Sequence, residues 1–267
     1  MSPEPNDRAA GVQGAAASLL NGLKVLEAFR IGRPSLGVTE VAQIVDLHKS
    51  TVSRILSGLA AAGYLEREQE NGRYRLGLGV IGLAGPLLAE LDVRRLARGP
   101  LEHLTLQTQE TSALSVWNGT GAIVVEQAPS PQFVKHTAYI GTRFDRYESS
   151  SVRVFLAALP ESAVSQLLET GQIARTATSG LGTDVAAHLA QVREQGVALN
   201  DGFTDPQEFG VSAPVKDYRG EVVGCITLSA PRGRISPEAH ADLIAAVRAA
   251  AEEVTDRLGG APAKPES

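Results

Sequence analysis

Residues 49–57 set hydroxyls and one guanidinium at helical spacing. Ser50, Ser53, Arg54 and Ser57 recur at i, i+3, i+4 and i+7, with Thr51 between them and Lys49 in front. An exposed helix ordinarily carries long Glu and Lys side chains on such a face. Here short hydroxyls can donate to or accept from a base edge, Arg54 can pair bidentately with guanine or phosphate, and Lys49 sits where a helix start favours phosphate. This is the chemistry of reading a DNA groove rather than of making or breaking bonds.

Neighbouring residues position that face. Val52, Ile55, Leu56 and Leu59 form the opposite, apolar stripe of the same helix. A first helix is expected from about Thr39 to Val45, with Thr39 as N-cap and Val41, Ala42, Ile44 and Val45 turned inward. Asp46-Leu47-His48 makes the turn, which places His48 beside the reader. After the second helix, Asn71-Gly72 predicts a type I′ two-residue hairpin whose tip is made cationic by Arg67, Arg73 and Arg75. Helix, turn, helix and ribbon together predict a winged helix-turn-helix that lays its second helix in the major groove. A helical hairpin with a ribbon can also be a protein-docking module. Charge favours DNA: residues 8–78 hold nine Lys or Arg against six Asp or Glu, whereas residues 79–267 hold sixteen against twenty-two, in a chain of net charge −5.

At 267 residues the chain predicts two domains. Residues 1–17 and 260–267 read as disordered ends, 18–78 as the winged domain, 79–91 as a linker and dimerisation helix, and 92–259 as a second domain. A helix from Ser18 to about Ile31, with Leu19, Leu20, Leu23, Val25 and Leu26, completes the three-helix core of the reader. Val80, Ile81, Leu83, Leu87, Leu88 and Leu91 make the linker helix too apolar for isolation, and a homodimer is the expected sink. A second linking helix follows from Asp92 to about Gln109. Strands are expected at 112–118, 122–128, 132–140, 197–200, 209–216 and 222–230, with helices at 152–159, 161–169, 184–195 and 237–258. That is an α+β sensor-like domain. Cys225 is the only cysteine, so intramolecular disulfides and cysteine-based zinc sites are excluded. The N-terminus lacks a signal-peptide pattern and no 18-residue apolar run occurs, so a cytoplasmic protein without membrane contact is expected.

Other motifs have simpler structural readings. Gly77, Gly79 and Gly82 form a literal GxGxxG, but the strand before them is polar and no βαβ unit follows, so no dinucleotide cofactor is expected. Cys225 lies within an apolar run and reads as a buried thiol. Asp184 and His188 sit at i, i+4 without a third ligand, so no metal is expected. Ser149, Ser150 and Ser151 lack a nucleophile elbow, and no catalytic residues are expected.

Several blocks in order resemble the IclR family of transcriptional regulators, over about residues 18–259: TEVAQIVDLHKSTVSRIL, GRYRLGLGVIGLA, AHLAQVREQGVAL, VSAPVKDYRGEVVGCITLSAP with Arg232 and Arg234, and EEVTDRLG. The resemblance implies a DNA-binding dimer on a pseudo-palindromic double-stranded operator, often a dimer of dimers, controlling a catabolic operon. It also implies a GAF- or PAS-like C-terminal domain that binds a small organic effector. Carried over by position, the effector site would comprise Phe133, His136, Phe144, Tyr147, Ser150, Ser151, Asn200, Gly210, Thr227 and Ser229. The chain departs from the family pattern at Asp145, where a Pro is usual, at Val152 for a Gly, and at Gly210 for a Cys. Gly210 opens space, while Phe133, Phe144 and Tyr147 supply aromatic walls for a flat ligand whose polar head meets hydroxyls.

Overall fold

The computed structural model describes residues 17–30, 32–137, 139–176, 181 and 184–259. Of the expected disordered ends, only residue 17 is described, and it is helical. The chain divides into two compact units, Met1–Glu90 and Leu91–Ser267.

In the first unit, α1 spans residues 17–27, shorter than expected. It is followed by β1 (Ser35–Leu36), α2 (Val38–Val45), α3 (Lys49–Ala61), β2 (Leu65–Arg67), β3 (Tyr74–Leu76) and α4 (Gly79–Glu90). Val25, Phe29, Leu36, Val41, Val52, Leu56, Leu65 and Tyr74 form its core. The stripe on α3 therefore does what its period demands, with Val52 and Leu56 fully buried. Three antiparallel strands in the order β1-β3-β2 make the wing.

Four local expectations need correction. Thr39 is exposed inside α2 and does not cap it; the N-cap is Gly37, whose N–H donates to the Glu40 carboxylate at 2.7 Å. Glu40 can reach back because it stands at the third helical position, the spacing a capping carboxylate needs. Ile44 is exposed rather than inward. The wing tip is a longer loop than a type I′ turn: Glu68 N–H donates to Arg73 O and Gly72 N–H to Glu68 O. A type I′ turn needs positive φ at both central residues, and of the pair only Gly72 has it, at 69°. Leu19, Leu20 and Leu23 are exposed on α1, so its apolar face exceeds what this core uses.

The glycines of the GxGxxG have a packing reason. A Cβ on Gly77 or Gly79 would lie 2.5 or 2.7 Å from Gly63 O, and these two residues donate backbone hydrogen bonds to Tyr64 O and Gly63 O. They let the chain leave the wing in contact with the turn after α3. On α4 the side chains of Ile81, Leu83 and Leu87 are each more than 60% exposed.

The second unit begins with α5 (Asp92–Thr108). Its other elements are β4 (Thr111–Trp117), β5 (Ala122–Ala128), β6 (Arg143–Phe144), α6 (Ser150–Ala158), α7 (Glu161–Glu169), α8 (Val185–Gln195), β7 (Ala198–Asp201), β8 (Glu208–Lys216), β9 (Val222–Pro231) and α9 (His240–Arg257). The strands form one antiparallel sheet in the order β6-β5-β4-β9-β8-β7. The strand expected at 132–140 is absent among the described residues there, which run as bends and coil; the edge strand is β6 instead. Pro129 and Pro131 precede that stretch, and proline cannot donate to a ladder.

Alternation along the strands divides the sheet's labour. Phe209, Val211, Ala213 and Val215 of β8, Ile226 and Leu228 of β9, and Leu114 of β4 pack with α5 and α9. Gly210, Ser212, Cys225, Thr227, Ser229, Ala113 and Ser115 take the other face, toward α6. The face toward α5 and α9 is mainly hydrocarbon, with Ser112 bonded to Thr105 within it, and the face toward α6 combines hydroxyls with an apolar cluster around Cys225.

Candidate DNA-reading face and effector cavity

On α3, Lys49, Ser50, Thr51, Ser53, Arg54 and Ser57 are all exposed, as their spacing requires. The helix carries no acidic residue, and Arg54 makes no ion pair or hydrogen bond among the described residues. His48 is the N-cap of α3. Its Nδ1 accepts from Ser50 N–H at 3.3 Å and lies 2.8 Å from the Ser50 hydroxyl. His48 therefore orders the start of the reader, a role beyond the turn expected of it.

The wing arginines behave differently from one another. Arg73 is pinned inward: it pairs with Glu40 at 2.7 Å, and its Nη2 donates to Ser35 O at 2.8 Å. Arg75 pairs with Glu66 at 2.7 Å while more than half exposed, and the Arg67 guanidinium lies 5.9 Å from the centre of the Tyr74 ring. Two of the three wing arginines are thus paired with carboxylates, Arg73 with Glu40 of α2 and Arg75 with Glu66 of β2, while Arg67 makes no ion pair among the described residues. The Gly37 N–H and then Arg73 hold the Glu40 carboxyl below its usual range.

In the second unit, strand register assembles what sequence separates. Asn200, Gly210, Ser229 and Thr111 form one row across β7, β8, β9 and β4. Ala198, Ser212, Thr227 and Ala113 form the next. Over these rows lies the start of α6, with Ser149 as N-cap. Between helix and sheet is a cavity, and seven of the ten expected residues line it: Phe144, Ser150, Ser151, Asn200, Gly210, Thr227 and Ser229.

The other three do not line it. Phe133 is fully exposed on coil, because the strand that would have turned it inward does not form. His136 lies on the same coil, its Nε2 3.4 Å from Gln207 O. Tyr147 is fully buried in the core with Val152 and Phe155, beneath the Arg175 guanidinium at 5.3 Å from its ring centre, and burial raises its phenol pKa. Phe144 is left as the aromatic wall.

Sequence reasoning missed Ala113, Ser115, Val124, Ser149 and Glu208, which also line the cavity. For Glu208 a signal existed: it stands two residues before Gly210 on one strand, so period two turns both to the same face. Ala113 and Ser115 needed the pairing of β4 with β9, which joins residues more than a hundred positions apart.

Hydrogen bonds knit the cavity wall. The Ser212 hydroxyl lies 2.8 Å from both the Ser150 and Thr227 hydroxyls, tying α6 to β8 and β9. Asn200 Oδ1 accepts from Phe203 N–H and Thr204 N–H, its Nδ2 donates to Thr204 Oγ1, and that hydroxyl donates to Glu208 Oε2 at 2.5 Å. The buried Arg153 Nη2 donates to Leu199 O at 2.6 Å and so fixes β7 beside α6; burial lowers its pKa to about 10. Cys225 is fully buried and its thiol is pushed up to about 12 by burial, which suits packing and not nucleophilic attack. Asp184 caps α8 by accepting from Ala187 N–H at 2.9 Å, and no group of described residues could hold a metal ion. The space open to the centre of a water molecule is about 20 Å³, enough for about one water.

A winged helix-turn-helix joined to a six-stranded domain with a partly open, hydroxyl-lined cavity points to a DNA-binding transcriptional regulator. Residues 18–69 match the IclR helix-turn-helix domain and residues 86–256 the C-terminal domain of bacterial IclR transcriptional regulators. The chain belongs to the IclR family. It is 28% identical over 220 residues to the HTH-type transcriptional regulator XynR of Escherichia coli K12, covering 82% of this chain and 87% of that one. A solved IclR transcriptional regulator from Silicibacter sp. TM1040 superposes with a TM-score of 0.74 at 26% identity, covering 92% of this chain and 98% of its own. An IclR homologue from Microbacterium hydrocarbonoxydans, solved in complex with 4-hydroxybenzoate, shares the fold with a TM-score of 0.74 at 22% identity, over 90% and 98% of the two chains. No described helix is long and apolar enough to cross a membrane.

Proposed function

We propose that the protein is a cytoplasmic, effector-responsive regulator that acts as a homodimer, or as a dimer of dimers, on a pseudo-palindromic operator of a catabolic operon. Thr39, His48, Lys49, Ser50, Thr51, Ser53, Arg54, Arg67 and Arg75 meet the DNA, with Arg54 as the base reader and Lys49 on a phosphate. Arg73 supports the wing from behind. The exposed leucines of α1 and α4 cover one another between two copies.

The effector is a small organic molecule held between α6 and the sheet. The observation that carries this reading is the convergence of Phe144, Ser150, Ser151, Asn200, Gly210, Thr227 and Ser229 on one cavity. Phe144 offers a single ring face, so an aromatic effector would stack on one side only. The 4-hydroxybenzoate complex of the Microbacterium relative supports an aromatic ring as a ligand in this fold, there one that carries a carboxylate.

A mobility-shift titration against the chain's own upstream DNA, repeated from 50 to 200 mM salt and with candidate effectors, tests the whole. Specific binding that weakens steeply with salt is expected, because phosphate neutralisation releases counterions. Leu87→Asp should abolish both the dimer and the specific complex. Wild-type protein that sediments as a monomer, or that binds all DNA equally, would sink the proposal.

A further inference from the structure

We infer that Glu208 makes this cavity a site for an uncharged or cationic effector whose polar end donates hydrogen bonds, and not for a carboxylate. The inference rests on the reading of the cavity as the effector site and narrows the ligand class.

Glu208 is the only ionisable side chain among the described residues that line the cavity. Its neighbours on the wall are hydroxyls, an amide and apolar groups, so no lining cation offsets it. The carboxylate is held in place rather than swinging in solvent: it is half-buried, and its Oε2 accepts the Thr204 hydroxyl, which is itself fixed by Asn200. One hydrogen bond leaves most of the lone-pair sites of a carboxylate unused. The start of α6, with Ser149, Ser150 and Ser151, would by itself favour an anion. The same small cavity already contains one, supplied by the protein. A ligand carboxylate would stand against Glu208 at short range in a confined space, where like charges repel. A ligand hydroxyl or ammonium would instead donate to Glu208 while accepting, where it can, from the serines.

Calorimetry on the full chain tests this with matched probes: benzoate, benzamide, benzyl alcohol and benzylamine, and the aliphatic set butyrate, butanol and butylamine. The alcohol or amine of a set should bind at least tenfold more tightly than its carboxylate. Preference for amine over alcohol would identify charge as the source, and equal binding would identify hydrogen-bond donation. Glu208→Gln keeps the shape and the Thr204 contact, and should bring the carboxylate within about threefold of the alcohol.

If the wild-type protein binds benzoate or butyrate as tightly as the alcohols, the inference fails while the effector cavity stands. Gly210→Leu should block every probe that enters. If probes bind that variant unchanged, or if none binds wild type, the cavity is not the effector site and both readings fall. The wild-type panel alone decides the matter should Glu208→Gln fold poorly.

Discussion

Gly210 lies at the centre of the cavity wall, and the effect of a side chain there can be worked from its surroundings. Its φ is not positive, so alanine can adopt the same backbone. A Cβ would meet Ser150 Oγ at 3.4 Å, Asn200 Cβ at 3.7 Å and Leu228 O at 3.7 Å, which is contact without overlap. Burying one methyl stabilises by about 0.8 kcal/mol. Removing a glycine from the unfolded chain adds roughly 0.4–1 kcal/mol. Gly210→Ala should therefore stabilise the second unit by about 1.2–1.8 kcal/mol, raising its melting midpoint by roughly 2–7 °C for a domain of this size.

Leucine must reverse the sign. Space for about one water, about 20 Å³, cannot take three further carbons. Overpacking of that kind costs roughly 1–3 kcal/mol, so Gly210→Leu should melt below wild type. Thermal denaturation followed by circular dichroism reads both variants. The reasoning depends on the order leucine, glycine, alanine. A leucine variant as stable as the alanine one would refute it, because the wall would then be loose enough to yield.

Three further substitutions test separate parts of the molecule. Arg54→Ala should lose roughly 1–3 kcal/mol of discrimination at one operator base pair, seen in mobility shifts with permuted sites; unchanged affinities would remove α3 from the groove. Gly77→Ala places a Cβ 2.5 Å from Gly63 O and should destabilise the first unit by about 1–3 kcal/mol, whereas Gly82→Ala, with nothing within 4 Å, should not; equal melting of the two variants would contradict the tight wing exit. The Glu40 carboxyl is depressed by the Gly37 N–H and then by Arg73, so its contribution is fully present above the unfolded value of 4.5 and is lost as pH falls through the lower folded value. Glu40→Gln should flatten the acid limb of the melting curve in that window, and an unchanged limb would show that the contact does not persist in solution.

The elements were legible where periodicity was long. The stripe of α3, the alternation of β8 and β9 and the helices around 161–169 and 185–195 all follow from spacing that one face must bury. Reading failed where a single partner decides the geometry. Thr39 lost the cap to Gly37 because Glu40 could reach back, a competition that side-chain type alone does not settle. Asn71-Gly72 carries the signature of a tight hairpin, yet the Asn71 side chain donates to Glu68 and accepts from Arg73 N–H, which stabilises a wider loop. Arg73 looked like a phosphate contact because its partners, Ser35 and Glu40, are more than thirty residues away. Phe133 and Tyr147 were placed by resemblance, and the missing strand at 132–140 together with the depth of Tyr147 removed both from the cavity wall.

The size of the cavity bears on how such a site could signal. With room for about one water, it cannot admit an effector as it stands. An effector needs the cavity to widen, and parting α6 from the sheet would break the hydroxyl chain Ser150–Ser212–Thr227, whose members come from α6, β8 and β9. A ligand able to replace those hydrogen bonds selects the opened arrangement, and its apparent affinity falls by the fraction of molecules that are open without it. Ser212→Ala removes the central hydroxyl and should raise that fraction, so it should tighten effector binding even though Ser212 does not line the cavity. If opening also changes affinity for the operator, the same substitution must change DNA binding in the direction the effector does, because coupling between two ligands is reciprocal. A Ser212→Ala variant that binds effector more tightly while its operator affinity stays at the wild-type value would separate the cavity from the reader and show that its opening carries no signal.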